Sequence, residues 1–131
     1  MSDVNPERGE VPILLGSKTN PMRPSYAAIK SIEQVLGPVV SLATKLAHPL
    51  ERLSIDALAV IVTEAIKAAG KDRDDKMLQA MSRDRIAELI YESGVLSVME
   101  PVELLLVNMI TGGGTAKKKD SRDETPTTTG S

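Results

Sequence analysis

Apolar residues recur at helical spacing through most of the stretch 26–110, and they are densest over 54–70, SIDALAVIVTEAIKAAG. Ser54 is a good N-cap, because its hydroxyl can accept a bond from a backbone N–H that the first helical turn leaves unpaired. Projected at 3.6 residues per turn, Ile55, Leu58, Ala59, Ile61, Val62, Ala65, Ile66 and Ala69 cover well over half the circumference. Asp56, Thr63, Glu64 and Lys67 share one narrow wedge, interrupted by Val60. Gly70 stands where a left-handed residue would end such a helix. A helix this apolar has to be packed on several sides, so 54–70 is expected to be the hub of a small core.

The other elements are arranged around it. Residues 10–15 form a short extended run, 16–19 supply turn chemistry, and 20–24 return as a second extended piece. Pro12, Pro21 and Pro24 each remove a ladder donor, so an exposed, weak two-stranded hairpin leaning on the helices is expected. Ser25 caps a helix over 26–36 with Tyr26, Ile29, Ile32, Val35 and Leu36 on one face and Lys30, Ser31 and Gln34 opposite. Gly37 stops it. Pro38 at a first helical position starts 39–47, which points Val39, Leu42, Ala43 and Leu46 inward and ends at His48 and Pro49. Residues 50–53 lead into the hub, and KDRDDK at 71–76 reads as a solvated loop. A turn or two of helix follows over 76–81. Ser82 caps the next helix, through Glu92, with Ile86, Leu89 and Ile90 inward and Gly94 closing it.

The last helix, 95 to about 111, places Val95, Val98, Met99, Val102, Leu105, Leu106, Met109 and Ile110 on one broad face. Pro101 in its interior either kinks it or marks its true first turn. The pattern predicts a mainly α-helical single domain of about five helices over 9–111, with a short N-terminal β-hairpin. Residues 1–8 are expected to be a flexible lead-in and 112–131 a disordered tail, since neither has apolar periodicity.

Composition narrows the function classes. The 131 residues contain no Phe or Trp and two Tyr, so the core is aliphatic. A net charge of −2 gives no bulk attraction to nucleic acid or an anionic membrane. No apolar run approaches the roughly 20 residues of a membrane span, and the N-terminus lacks a charged-then-apolar leader. With no cysteine there are no disulfides, thiolate ligands or thiol nucleophiles, which fits a reducing cytosol. Candidate chemistry is sparse. His48, the one histidine, sits at a helix end beside a proline, where it meets the negative pole of the helix dipole. Asp84, Glu88 and Glu92 have the spacing of a solvated helix face. Asp56 and Glu64 are too far apart to hold one metal ion. Gly112, Gly113 and Gly114 lack the strand before and helix after that a phosphate loop needs. Lys117, Lys118 and Lys119 are followed at once by Asp120, Asp123 and Glu124. No catalytic, cofactor or metal site is expected, and the chain is read as a non-enzyme.

One feature stands outside this scheme. On the last helix Leu96, Leu104 and Val107 fall on the side shared by Ser97, Glu100, Glu103 and Thr111, where a single inward face needs no apolar residues. Either neighbouring elements cover them, or they form a stripe for a partner helix or a second copy of the chain.

The order of these pieces also resembles a family. RGEV at 8–11, the turn at Gly16, MRPSYAAI at 22–29, Ile32 and Glu33, and Gly37 are similar to the opening of the small tail assembly chaperones of siphophages and gene transfer agents. Some members are described as tail tube proteins. Leu53 and Ser54 before a helix ending AAG at 68–70, IAELI at 86–90, and Gly94 continue the pattern, which covers about 8–111. Family members often carry aromatics where this chain has only Tyr26 and Tyr91, and the polar tail lies outside the pattern.

The resemblance implies a non-enzymatic role in building a long non-contractile tail. Such a chaperone coats the tape measure protein until tail tube subunits polymerise around it. Its partners would be the tape measure and tail tube proteins, with self-association possible and no nucleic acid, membrane or cofactor involved. Its place would be the host bacterial cytoplasm, and it would not be a major virion component. A longer frameshifted product is also implied, with Lys117, Lys118 and Lys119 at the slip site. A gene without an adenine-rich heptamer there would dispose of that idea. The alternatives are a structural tube or connector subunit, which normally needs more β-sheet than this chain can form, and a helical adaptor unrelated to phage.

Overall fold

The computed structural model describes residues 4–48 and 53–112. The fold is mainly α-helical with a two-stranded N-terminal hairpin. A 3-10 turn, Pro6–Arg8, precedes β1 (Val11–Leu15) and β2 (Lys18–Met22). Six helices follow among the described residues: α1 (Tyr26–Leu36), α2 (Val39–Ala47), α3 (Ile55–Arg73), α4 (Lys76–Gln79), α5 (Arg83–Ser93) and α6 (Val95–Ile110). Residues 1–3 of the expected lead-in, 49–52, and all of the expected 112–131 tail but Gly112 lie outside the described residues.

The hub expectation holds in packing. α3 contacts α1, α4, α5, α6 and β2, and Leu58, Ile61, Val62, Ala65 and Ile66 are fully enclosed. Ser54 caps it by accepting the Ala57 N–H at 3.0 Å. Its end differs from expectation. The helix runs through Gly70 to Arg73, and Asp74 takes the left-handed conformation (φ 55°, ψ 41°) that closes it. Gly70 is buried mid-helix, where an added Cβ would sit 2.6 Å from the Leu78 Cβ and 2.9 Å from the Gln79 nitrogen. The glycine is therefore there to let α4 approach, not to terminate α3. The solvated loop expected over 71–76 shrinks to Asp74 and Asp75, the latter capping α4 through its Oδ1 to the Met77 and Leu78 N–H groups.

The hairpin is also better buried than expected. Gly16 (φ 64°) occupies the first central position of a two-residue turn, and Ser17 stays at negative φ, the geometry of a type II′ hairpin. Val11, Ile13 and Leu15 alternate into the core, and Met22 and Pro21 are buried as well. The register pairs Pro12 with Pro21. Counted outward from the turn-closing Leu15–Lys18 pair, this is a non-hydrogen-bonded position, so the two missing N–H groups cost no rung of the ladder. The outward-pointing neighbours find other partners: Glu10 N–H donates to the Asn5 carbonyl and Arg23 N–H to the Ala65 carbonyl.

Caps at Ser25 and Ser82 form as expected, accepting the Ala28 and Arg85 N–H groups. Pro38 is the N-cap of α2 and not its first helical residue, and Glu33 supplies the missing cap by accepting the Val39 N–H at 2.9 Å. On α1 the buried residues are Ala28 and Ile32. Tyr26 and Val35, expected inward, are 74% and 52% exposed, because α1 meets α3 along its small-residue side. On α6, Val98, Val102, Leu105, Leu106 and Met109 are buried as expected, but Ile110 is open to solvent. Pro101 lies inside α6 and does not mark its first turn. α5 and α6 meet at Gly94 with a bend of 120°, which carries α6 back across the hairpin and α2.

Candidate functional site

Two places gather polar or unpartnered side chains. The first is built from the N-terminal turn, β2 and the end of α3. Glu10 is buried, and its Oε1 accepts the Asn5 N–H at 2.8 Å and Arg73 Nη2 at 2.7 Å. Its Oε2 accepts Arg23 Nη1 and Arg73 Nη1, each at 3.1 Å. Arg23 also reaches Asp72 at 3.4 Å. Burial pushes the Glu10 carboxyl up, but the bonds from Arg73, the Asn5 N–H and Arg23, with the nearby Arg73 charge, outweigh it and hold it below its ordinary value of 4.5. Both oxygens are saturated by fixed donors, which leaves no lone pair for a substrate. Asn108 on α6 ties the same turn down, donating to the Gly9 carbonyl at 2.8 Å. The cluster is a fastener joining chain segments 63 residues apart. Sequence reasoning missed it because Arg73 was placed in a loop, and only the helical continuation past Gly70 brings it to Glu10.

The second place is the outer side of α6. Leu96, Leu104 and Val107 are 72%, 50% and 43% exposed, and Ile110 joins them at 45%. Of the two readings the sequence left open, cover by neighbouring elements is absent among the described residues. At 100° per residue these four residues lie within about 120° of the helix circumference, and Glu100 and Glu103 fall inside the same arc. Neither glutamate has an ion-pair partner among the described residues. The arrangement is an aliphatic stripe with two uncompensated negative charges, on a helix whose opposite face is locked into the core. It can bury apolar surface on a partner and favours basic groups beside it.

Other features give less. A cleft of about 200 Å³ between α1 and α3 is floored by Ala27, Ala28, Ser31 and Ala68. Glu64 at its edge is already paired with Arg83 at 3.1 Å. His48 is an exposed C-cap residue of α2. Among the described residues no group of His, Cys, Asp and Glu converges as metal ligands would, and no single helix is long and apolar enough to cross a membrane.

The residues that carry the family resemblance map onto architecture. Glu10 and Arg23 belong to the ion cluster, Gly9 (φ 79°) ends the first turn, Gly16 makes the hairpin, Ser25 and Glu33 cap helices, and Ala28 and Ile32 pack the core. Comparison with known proteins finds no matching family model, no similar curated protein and no similar solved structure.

Proposed function

We propose that this protein is a non-enzymatic tail assembly chaperone of a siphophage, prophage or gene transfer agent, which holds the tape measure protein while tail tube subunits assemble around it. The observation that carries the reading is the exposed aliphatic stripe on α6. A tape measure is a long helical client that presents apolar stripes, and a helix laid against another helix is a recurring way to cover such surface. Leu96, Leu104, Val107 and Ile110 are each about half exposed or more. Covering them would contribute on the order of 1 kcal/mol apiece, before the costs of association. That suits a holder which must later let go. Among the described residues the sheet has two five-residue strands, which gives little support to the rival role of a tube subunit.

Co-expression with the tape measure product, followed by pull-down, tests the proposal. The full chain should retain the client, and the double variant Leu104→Asp, Val107→Asp should lose it while keeping its melting temperature. Retention by a folded double variant would remove α6 from consideration. Mass spectrometry of purified particles finding many stoichiometric copies would favour a tube or connector subunit. A gene neighbourhood without a tape measure gene would favour an adaptor unrelated to phage.

A further inference from the structure

The stripe on α6 continues past the start of the helix. Ser97 lies about 20° around the helix from Leu104 and about 10 Å nearer its N-terminus, and it lines a cleft of about 320 Å³ at the elbow between α5 and α6. Leu14 of β1, Gly16 of the hairpin turn, and Glu92 and Ser93 of α5 complete the lining. The walls are fixed: Ser93 Oγ accepts the Gly16 N–H at 2.9 Å, and Ser97 Oγ donates to the Ser93 carbonyl at 2.9 Å. Leu14 is more than half exposed there. The charges along this surface have one sign. Glu100 and Glu103 are the only charged residues of α6, and Glu92 adds a third carboxylate in the cleft. None of the three has an ion-pair partner among the described residues.

We infer that this surface takes an amphipathic helix with a basic rim. Its aliphatic side chains lie along Leu96, Leu104, Val107 and Ile110, one more sits on Leu14 in the elbow cleft, and lysine or arginine stands beside Glu92, Glu100 and Glu103. From Ser97 to Ile110 the face is about 20 Å long, which about four turns of a partner helix span. Charge selects this occupant over others. A second copy docking by the same face would be related by a two-fold axis. Leu96 to Ile110 is centred on residue 103, so the axis would bring the two Glu103 carboxylates together, and like charges opposed across a contact are costly. An anionic membrane surface is repelled for the same reason. A neutral apolar helix would cover the stripe but strip water from the carboxylates without pairing them; basic flanks turn that cost into attraction. Under the proposed function this is the chemistry of the client segment, and assigning it to the tape measure protein rests on that reading.

Titration of the full chain with three synthetic peptides tests this without a natural client. Each has 16 residues, the length of α6, and the same helical leucine stripe, flanked by lysine, by glutamine or by glutamate. The lysine peptide should bind about tenfold more tightly than the glutamine peptide, from about two- to threefold for each of three exposed pairs. The glutamate peptide should bind more weakly than either. In amide NMR spectra the lysine peptide should shift Leu14, Gly16 and Ser97 together with residues 100–110. The triple variant Glu92→Gln, Glu100→Gln, Glu103→Gln should keep its Tm and lose the preference, and salt at about 0.5 M should shrink the preference in the parent. No binding of any peptide, equal affinity for all three, binding mapped to another face, or a preference that survives the triple variant would overturn the inference. If the peptides rank as expected and the tape measure product does not bind, the surface assignment stands and the chaperone reading falls. If the tape measure product binds parent and triple variant equally, the chaperone reading stands and the inference falls.

Discussion

Replacing Gly70 by alanine pits two effects of opposite sign against each other. In an exposed helix interior the change would stabilise by about 1 kcal/mol, the difference in helix propensity between the two residues. Here the new Cβ would meet the Leu78 Cβ at 2.6 Å, the Gln79 nitrogen at 2.9 Å and the Asp75 carbonyl oxygen at 3.1 Å. Two of those three are backbone atoms, held by Asp75 N–H to Gly70 O at 2.8 Å and Gln79 N–H to Asp75 O at 3.1 Å. They cannot swing away as a side chain would, so the cost lies towards the upper end of the roughly 1 to 3 kcal/mol usual for overpacking. The net expectation is a loss of about 1 to 2 kcal/mol. For a domain of this size that lowers Tm by about 5 to 15 °C. Thermal melts and urea titrations of Gly70→Ala beside the parent protein measure it. A companion variant checks the assignment of the helix end: Asp74→Gly, placing glycine at the left-handed residue, should be neutral or stabilise by up to about 1 kcal/mol. A Gly70→Ala protein as stable as its parent, or more so, would refute the close approach of α4 to α3.

Other substitutions probe the remaining features. Glu10→Gln should cost about 2 to 4 kcal/mol, since it leaves Arg23 and Arg73 facing a neutral group at a largely buried site. The Glu10 carboxyl titrates below its ordinary 4.5, so its contribution is fully present above about pH 4.5 and is lost as pH falls through the lowered folded-state value. Urea midpoints measured from pH 7 down to 3 should therefore fall less steeply for Glu10→Gln than for the parent, and parallel curves would contradict the cluster. Val62→Asp puts an unpaired carboxylate at a position with no solvent exposure; it should cost several kcal/mol and yield unfolded protein by circular dichroism. Leu104→Asp with Val107→Asp should change stability by no more than about 1 kcal/mol, as expected for two exposed sites.

Much of this fold is legible in the sequence because its determinants are local. Serine caps at 25, 54 and 82, breaks at Gly37 and Gly94, and aliphatic periodicity on α3 and α6 all act within a few residues, and the structure bears each of them out. What misled was a residue with two possible duties. A glycine after an apolar helical run reads as a C-cap, yet Gly70 is required by a contact with α4 that local spacing does not reveal. That one misplacement turned Arg73 into a loop residue and hid the Glu10 cluster. Asn108 was similarly invisible, since its partner is the Gly9 carbonyl at the other end of the domain. The stripe at Leu96, Leu104 and Val107 could be singled out from helical projection alone, but whether neighbours covered it depended on where α2, α5 and the hairpin came to rest.

The paired prolines of the hairpin bear on how copies of this protein meet at high concentration. Pro12 and Pro21 sit back to back, so the N–H each lacks is one that would have faced outward from the sheet. The Glu10 and Arg23 amides beside them are engaged within the fold, which leaves each strand one outward amide, at Leu14 and at Thr19. A third strand would find almost no donors on either edge of the hairpin, which disfavours edge-to-edge pairing of copies through it. Among the described residues, association is left to side chains on the helices, where affinity can be tuned one residue at a time.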